Sequence, residues 1–137
     1  MDVLQDSEEL YSSNESFPQK EETYKIIGAC MEVHKELGNG FLESVYKDAL
    51  EIEFRLQGIP FEREKSYVVE YKGYVLKRKY IADFIVFGNI VLEIKAQEFV
   101  VKANYAQTVN YLKTSKNKVG LLINFGETSL KYKRLVK

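Results

Sequence analysis

The segment Ile90-Val91-Leu92-Glu93-Ile94-Lys95-Ala96 is apolar on both parities, and it limits the fold more than any other stretch of the chain. Successive residues of a strand point to opposite faces, so a strand apolar on both must be covered on both. A sheet with helices on its two faces satisfies that demand. Yet two charges, Glu93 and Lys95, are set into this apolar run. A second carboxylate, Asp83, sits in the equally apolar Ile81-Ala82-Asp83-Phe84-Ile85. Burying an unpaired charge is costly, so such groups are paired, hydrogen-bonded or bound to metal.

The rest of the chain supplies the elements around these strands. Strands are expected over residues 61–71, 74–87, 90–96, 119–125 and 130–136, rich in β-branched and aromatic residues, with Lys72-Gly73 as a turn. Helices are expected over 23–37, 42–57 and 103–115. In the first, Thr23 is the candidate N-cap and Ile26, Cys30, Val33 and Leu37 form an apolar stripe, ended by Gly38-Asn39-Gly40. The second presents Leu42, Val45, Ala49 and Leu56 inward and stops at Gly58 before Pro60. The third turns Ala106, Val109 and Leu112 inward. The order is helix, helix, three strands, helix, two strands, an α/β chain.

Charge divides the chain unevenly. Residues 1–22 hold seven acids and one base, without sustained periodicity, and are expected to be a disordered or loosely attached acidic tail. Residues 23–137 form one domain with 19 bases and 13 acids, a balance compatible with a polyanion partner. The single cysteine cannot make an internal disulfide. The longest apolar stretch, 84–92, is too short to span a bilayer and is broken by Gly88-Asn89. A cytoplasmic protein without a membrane partner is expected, and a homo-oligomer is compatible with the sequence.

Glu93 and Lys95, two apart on a strand, share a face. Two carboxylates and an ammonium on one face suit phosphodiester hydrolysis: the carboxylates are hard oxygen ligands for Mg²⁺ or Mn²⁺, and a lysine stabilises charge in the transition state. The competing reading is a structural ion pair within the sheet. For Asp83 to join them, the turn between its strand and the next must have the right parity. A two-residue turn at Gly88-Asn89 would pair Phe87 with Ile90 and turn Glu93 away. A three-residue loop, Phe87-Gly88-Asn89, pairs Val86 with Ile90 and sets Asp83 opposite Glu93. An odd-length loop, with Asn89 left-handed, or a β-bulge is therefore expected here.

Further motifs lie in a fixed order. Gly40-Phe41-Leu42-Glu43-Ser44-Val45-Tyr46 reads G-x-x-E-x-x-Y; then come Ala82-Asp83, Leu92-Glu93-Ile94-Lys95-Ala96, Ala106-Gln107 with Tyr111, and Val119 through Gly126. Together these closely resemble the GxxExxY protein family of the PD-(D/E)xK nuclease-like superfamily, over about residues 23–137. The resemblance implies a restriction-endonuclease-like core, a mixed central sheet flanked by helices, and metal-dependent cleavage of nucleic acid, DNA by analogy. It implies that Asp83, Glu93 and Glu43 hold Mg²⁺ or Mn²⁺ and that Lys95 is the catalytic lysine. Gln107 and Tyr111 match a Q-x-x-x-Y element and, with Tyr46, are expected to bind nucleic acid or support the site. Two positions depart from the pattern: Ala82 replaces the proline that names the superfamily, and Asn104 stands where many relatives have histidine. A non-catalytic module gripping nucleic acid or a protein on the same fold is the alternative.

Other residues have plainer readings. His34 is expected to be a partly buried helix residue rather than a ligand, and Cys30 a small core residue. Lys77-Arg78-Lys79 is either a solvated edge or a contact for a phosphate backbone.

Overall fold

A computed structural model describes residues 2–6 and 19–137. The elements, in chain order, are β1 (Asp2–Asp6), α1 (Lys20–Leu37), α2 (Glu43–Gln57), β2 (Phe61–Tyr71), β3 (Tyr74–Val86), β4 (Ile90–Lys95), α3 (Lys102–Ser115), β5 (Val119–Asn124) and β6 (Lys131–Val136). The six strands form one sheet in the order β1-β6-β5-β4-β3-β2. β4 and β5 run parallel, joined by α3 as the crossover, and every other neighbouring pair is antiparallel. The two faces of β4 are both buried, as its composition demands. Beneath α1 and α2 lies one core layer, with Ile26, Cys30, Leu50, Phe54, Phe84, Leu92 and Ile94; beneath α3 lies a second, with Tyr80, Ala82, Ile85, Val91, Leu112 and Leu135. No helix among the described residues is long and apolar enough to cross a membrane.

Several local expectations are corrected. α1 begins at Lys20, so Thr23 is not its N-cap but a buried residue of its first turns. Of the acidic N-terminal stretch, Asp2–Asp6 is a strand on β6 and residues 20–22 open α1, while residues 1 and 7–18 lie outside the described residues. In α2 the buried stripe is Tyr46, Leu50 and Phe54, and the expected Leu42 and Leu56 are exposed. Aromatic rings explain the rotation: Phe54 packs edge-on to Phe84, and Tyr46 stacks on Phe125 with centroids 4.6 Å apart, which buries more area than the leucines would. In α3 the buried residues are Thr108 and Leu112, with Val109 partly covered and Ala106 exposed. Thr108 tolerates burial because its hydroxyl donates to the Asn104 carbonyl at 3.0 Å.

The β3–β4 turn has the odd length that the shared face requires. Val86 pairs with Ile90, Ile85 with Val91 and Phe84 with Leu92, leaving Phe87-Gly88-Asn89 as the loop. The left-handed residues are Phe87 (φ +53°) and Gly88 (φ +80°), not Asn89. Phe87 bears that conformation because its ring packs on the core and its N–H donates to the Pro60 carbonyl at 2.9 Å.

The ends of β4 and β5 are clamped together. The Lys95 carbonyl accepts from the Phe125 N–H at 2.8 Å. The buried Asn124 side chain takes the Gln97 N–H on Oδ1 at 3.0 Å and donates from Nδ2 to the Gln97 carbonyl at 2.9 Å. Gly126 makes this approach possible: a Cβ there would lie 2.1 Å from the Gln97 carbonyl oxygen and 2.4 Å from its backbone nitrogen. Because both obstacles are backbone, Gly126→Ala must push the segment after Lys95 outward. It should destabilise the fold by about 3 kcal/mol and lower Tm by roughly 10 °C; an unchanged melting curve would show that the clamp is not needed.

Candidate active site

Asp83 sits where the sheet splits. Continuing the β3–β4 register would pair Asp83 with Glu93, but the ladder ends at Phe84 and Leu92. Beyond it the Asp83 carboxylate takes over from the backbone, Oδ2 accepting the Ile94 N–H at 2.7 Å. The other neighbour of β3 is irregular at the same level. Arg63 pairs with Phe84 and Lys65 with Ala82, whereas Glu64 between them has φ +55° and is skipped in the pairing. Side chains of one parity along β3 accordingly serve different layers: Phe84 and Val86 pack under α1 and α2, Tyr80 and Ala82 under α3. The pairing of β3 with β4 thus opens at Asp83, and this notch in the ladder is where its carboxylate sits.

Glu93 lies in the same notch, 6% exposed. Its carboxyl is in hydrogen-bonding contact with Asp83 and accepts a hydrogen bond from the Tyr80 hydroxyl. Burial, then the negative charge of Asp83, push its pKa up to about 9, against the opposing pull of the Tyr80 hydrogen bond. Glu93 therefore holds its proton more firmly than a carboxyl in water does. Burial first, then the neighbouring Glu93 carboxyl, raise the pKa of the Tyr80 hydroxyl.

Helix α2 closes the site from the other side. Glu43, in its first turn, is half-buried; burial raises its pKa and so does Asp83, while the charges of Lys95 and Lys47 oppose them. Lys95, partly buried at the end of β4, is therefore close enough to Glu43 to act on its charge. One helical turn beyond Glu43, the Lys47 ammonium donates to Asp83 Oδ1 at 3.3 Å, each side chain 16% exposed. Among the described residues no three acidic, histidine or cysteine side chains alone form a metal cage. What the notch holds is a pair of touching carboxylates, a third close enough to be felt, and two lysines.

The structure thus brings Asp83, Glu93, Lys95 and Glu43 together. Tyr111 stands one layer behind, its ring stacked on that of Tyr80 with centroids 3.7 Å apart, and burial together with Glu93 raises its pKa. Gln107 is exposed, one turn before Tyr111 on α3. Tyr46 is fully buried; its hydroxyl donates to the Gly38 carbonyl at 2.6 Å and accepts the Phe41 N–H at 3.2 Å, fixing the loop that leads into Glu43. His34 is also placed structurally, its Nε2 2.9 Å from the Glu127 carbonyl oxygen. Cys30 is buried in the core, and burial alone pushes its thiol pKa up.

Sequence reasoning missed Lys47 and Tyr80. The signal for Lys47 was present, since a residue four after Glu43 shares its helix face. Tyr80 had no such signal, because regular alternation puts residues three apart on opposite faces of a strand. Tyr80 nevertheless meets Glu93, where Asp83 has left the β3–β4 ladder.

A carboxyl whose folded pKa exceeds its unfolded value of 4.5 binds more protons in the folded state, so stability falls as pH rises from there towards about 9. The slope is on the order of 1 kcal/mol per pH unit inside that window. Glu93→Gln removes the titration and keeps an acceptor for Tyr80. Metal-free urea unfolding at pH 5, 7 and 9 should show the variant gaining on wild type as pH rises; parallel curves would contradict a protonated Glu93.

The sequence profile of the PD-(D/E)XK nuclease superfamily matches residues 20–135. No curated protein matches the sequence. A solved structure described as the crystal structure of SSO0001 is similar, with a TM-score of 0.56 and 21% identity over 69% of this chain and 49% of that one. The chain spans about half the length of that solved chain, and the likeness is one of fold. A profile match across nearly all of the described domain, on a mixed sheet whose β4 carries Glu93 and Lys95 beside Asp83, establishes that the chain belongs to the PD-(D/E)XK nuclease superfamily.

Proposed function

We propose that the domain is a divalent-metal-dependent nuclease, acting on DNA in the cytoplasm, with Asp83, Glu93, Glu43 and Lys95 as its site. The observation that carries this reading is the notch itself. Asp83 and Glu93 come from different strands, touch, and share the space with Lys95 and Glu43, where a structural ion pair would need only one acid and one base.

The donors suit a hard cation. All are carboxylate oxygens, and Mg²⁺ is commonly held by one or two carboxylates with water filling its remaining positions. Asp83, Glu93 and Glu43 would hold the ion. Bound there, the metal supplies an activated water and neutralises charge on the phosphate. Lys95 would hold a nonbridging phosphate oxygen as water adds to phosphorus and the P–O bond to the leaving group breaks. Tyr80, kept protonated, holds Glu93 in place, and Tyr111 braces Tyr80. Gln107, exposed beside this pair, is proposed to contact nucleic acid.

The partner is also supported away from the notch. The outer part of the β2–β3 ribbon is exposed and carries Lys72, Lys77, Arg78 and Lys79 against Glu70, with Tyr71 and Tyr74 at its turn. Basic side chains beside aromatic rings suit phosphates and bases. The resemblance of Gly40, Glu43 and Tyr46 to the GxxExxY motif supports the narrower family placement. Residues 23–137 are proposed as the nuclease domain, preceded by the acidic stretch 1–22.

A non-catalytic nucleic-acid- or protein-binding module is the second reading, favoured by the Lys47–Asp83 ion pair that already satisfies one carboxylate. Cleavage separates the two. With Mn²⁺ and mixed nucleic acids, wild type should cut, and Lys95→Ala or Asp83→Ala should slow cutting by about 10²–10³-fold while circular dichroism stays unchanged. Wild-type rates in either folded variant would end the nuclease assignment.

A further inference from the structure

We infer that Lys47 is the internal counter-cation of the metal-free site, occupying the Asp83 oxygen that a divalent ion needs and leaving it when the ion binds. The inference rests on the metal-site reading above and adds a competitor to it.

Asp83 has two oxygens with unequal freedom. Oδ2 is tied to the Ile94 N–H at 2.7 Å, a main-chain donor that cannot withdraw without breaking the edge of β4. Oδ1 is held by Lys47 at 3.3 Å, a donor on a four-carbon flexible stem. That distance is long for a charge-assisted hydrogen bond, which lies near 2.7–2.9 Å. The pair is therefore loose on the side where exchange is possible and tight on the side where it is not. Both partners are largely shielded from solvent, so their charges are felt strongly. An ammonium and a dication on the same carboxylate oxygen would repel each other at close range, so one excludes the other.

The placement of Lys47 supports exchange. It lies one turn after Glu43 on the face of α2 that overlooks the notch, and its charge acts on Glu43 as well as on Asp83. In the metal-free protein it offsets the crowding of carboxylates. Once displaced, it remains at the rim of the notch, where an anionic phosphate would arrive.

Calorimetric titration of the full chain with Mn²⁺, without nucleic acid, tests this. Lys47→Met keeps the length of the stem and removes the charge. It should bind Mn²⁺ about tenfold more tightly than wild type and should melt at a lower temperature when metal-free. Lys47→Arg keeps a cation and should bind within about threefold of wild type, which guards against a general packing effect. If wild type binds Mn²⁺ and Lys47→Met binds it equally or more weakly, the counter-cation role is overturned while the metal site stands. If wild type binds no Mn²⁺, or Asp83→Asn binds it as well as wild type, the metal-site reading fails and takes this inference with it.

Discussion

The hydrogen bond from the Ile94 N–H to Asp83 Oδ2 is the interaction on which the site depends. It stands where a backbone carbonyl of β3 would be in a regular ladder. By substituting a side chain for the main chain, it lets β3 part from β4 without leaving a buried N–H unpaired. The same substitution fixes one carboxylate oxygen and turns the other into the notch. The site is thus made at the point where sheet pairing ends, and its geometry is inherited from the sheet.

The surrounding fold keeps that point in place. β4 is buried on both faces between layers under α1–α2 and α3, so it cannot slide without exposing apolar side chains. Its end is fastened to β5 by Asn124 and by the close approach at Gly126. α2 is fixed at its N-terminus by the hydroxyl of Tyr46, which brings Glu43 and Lys47 over the notch. The carboxyl pair is held together by this rigidity, and burial first, then the charge of Asp83, raise the pKa of Glu93.

Much of this was legible in the sequence, for physical reasons. Two-sided apolarity placed β4 in the interior, and the demand that Asp83 and Glu93 share a face gave the three-residue loop. The Lys72-Gly73 turn was readable too, with both residues at positive φ as a tight hairpin of this kind requires. The helix faces were less legible. Leucines at the edges of α2 suggested a stripe that Tyr46 and Phe54 displaced, because burial favours the larger rings. Asn89 looked like the residue to take a left-handed conformation, but a packed ring and a long-range hydrogen bond moved that strain to Phe87. Neither the pairing of Asp2–Asp6 with β6 nor the meeting of Tyr80 with Glu93 follows from local periodicity. Both arise from tertiary placement.

That one notch gathers carboxylates in order to hold a divalent ion is most directly tested by anomalous diffraction from crystals soaked in Mn²⁺. The expected result is one strong peak in the notch, about 2.1–2.3 Å from oxygens of both Asp83 and Glu93, with water completing its coordination. A map with no peak there at saturating Mn²⁺, with the two carboxyl groups still in contact, would contradict it.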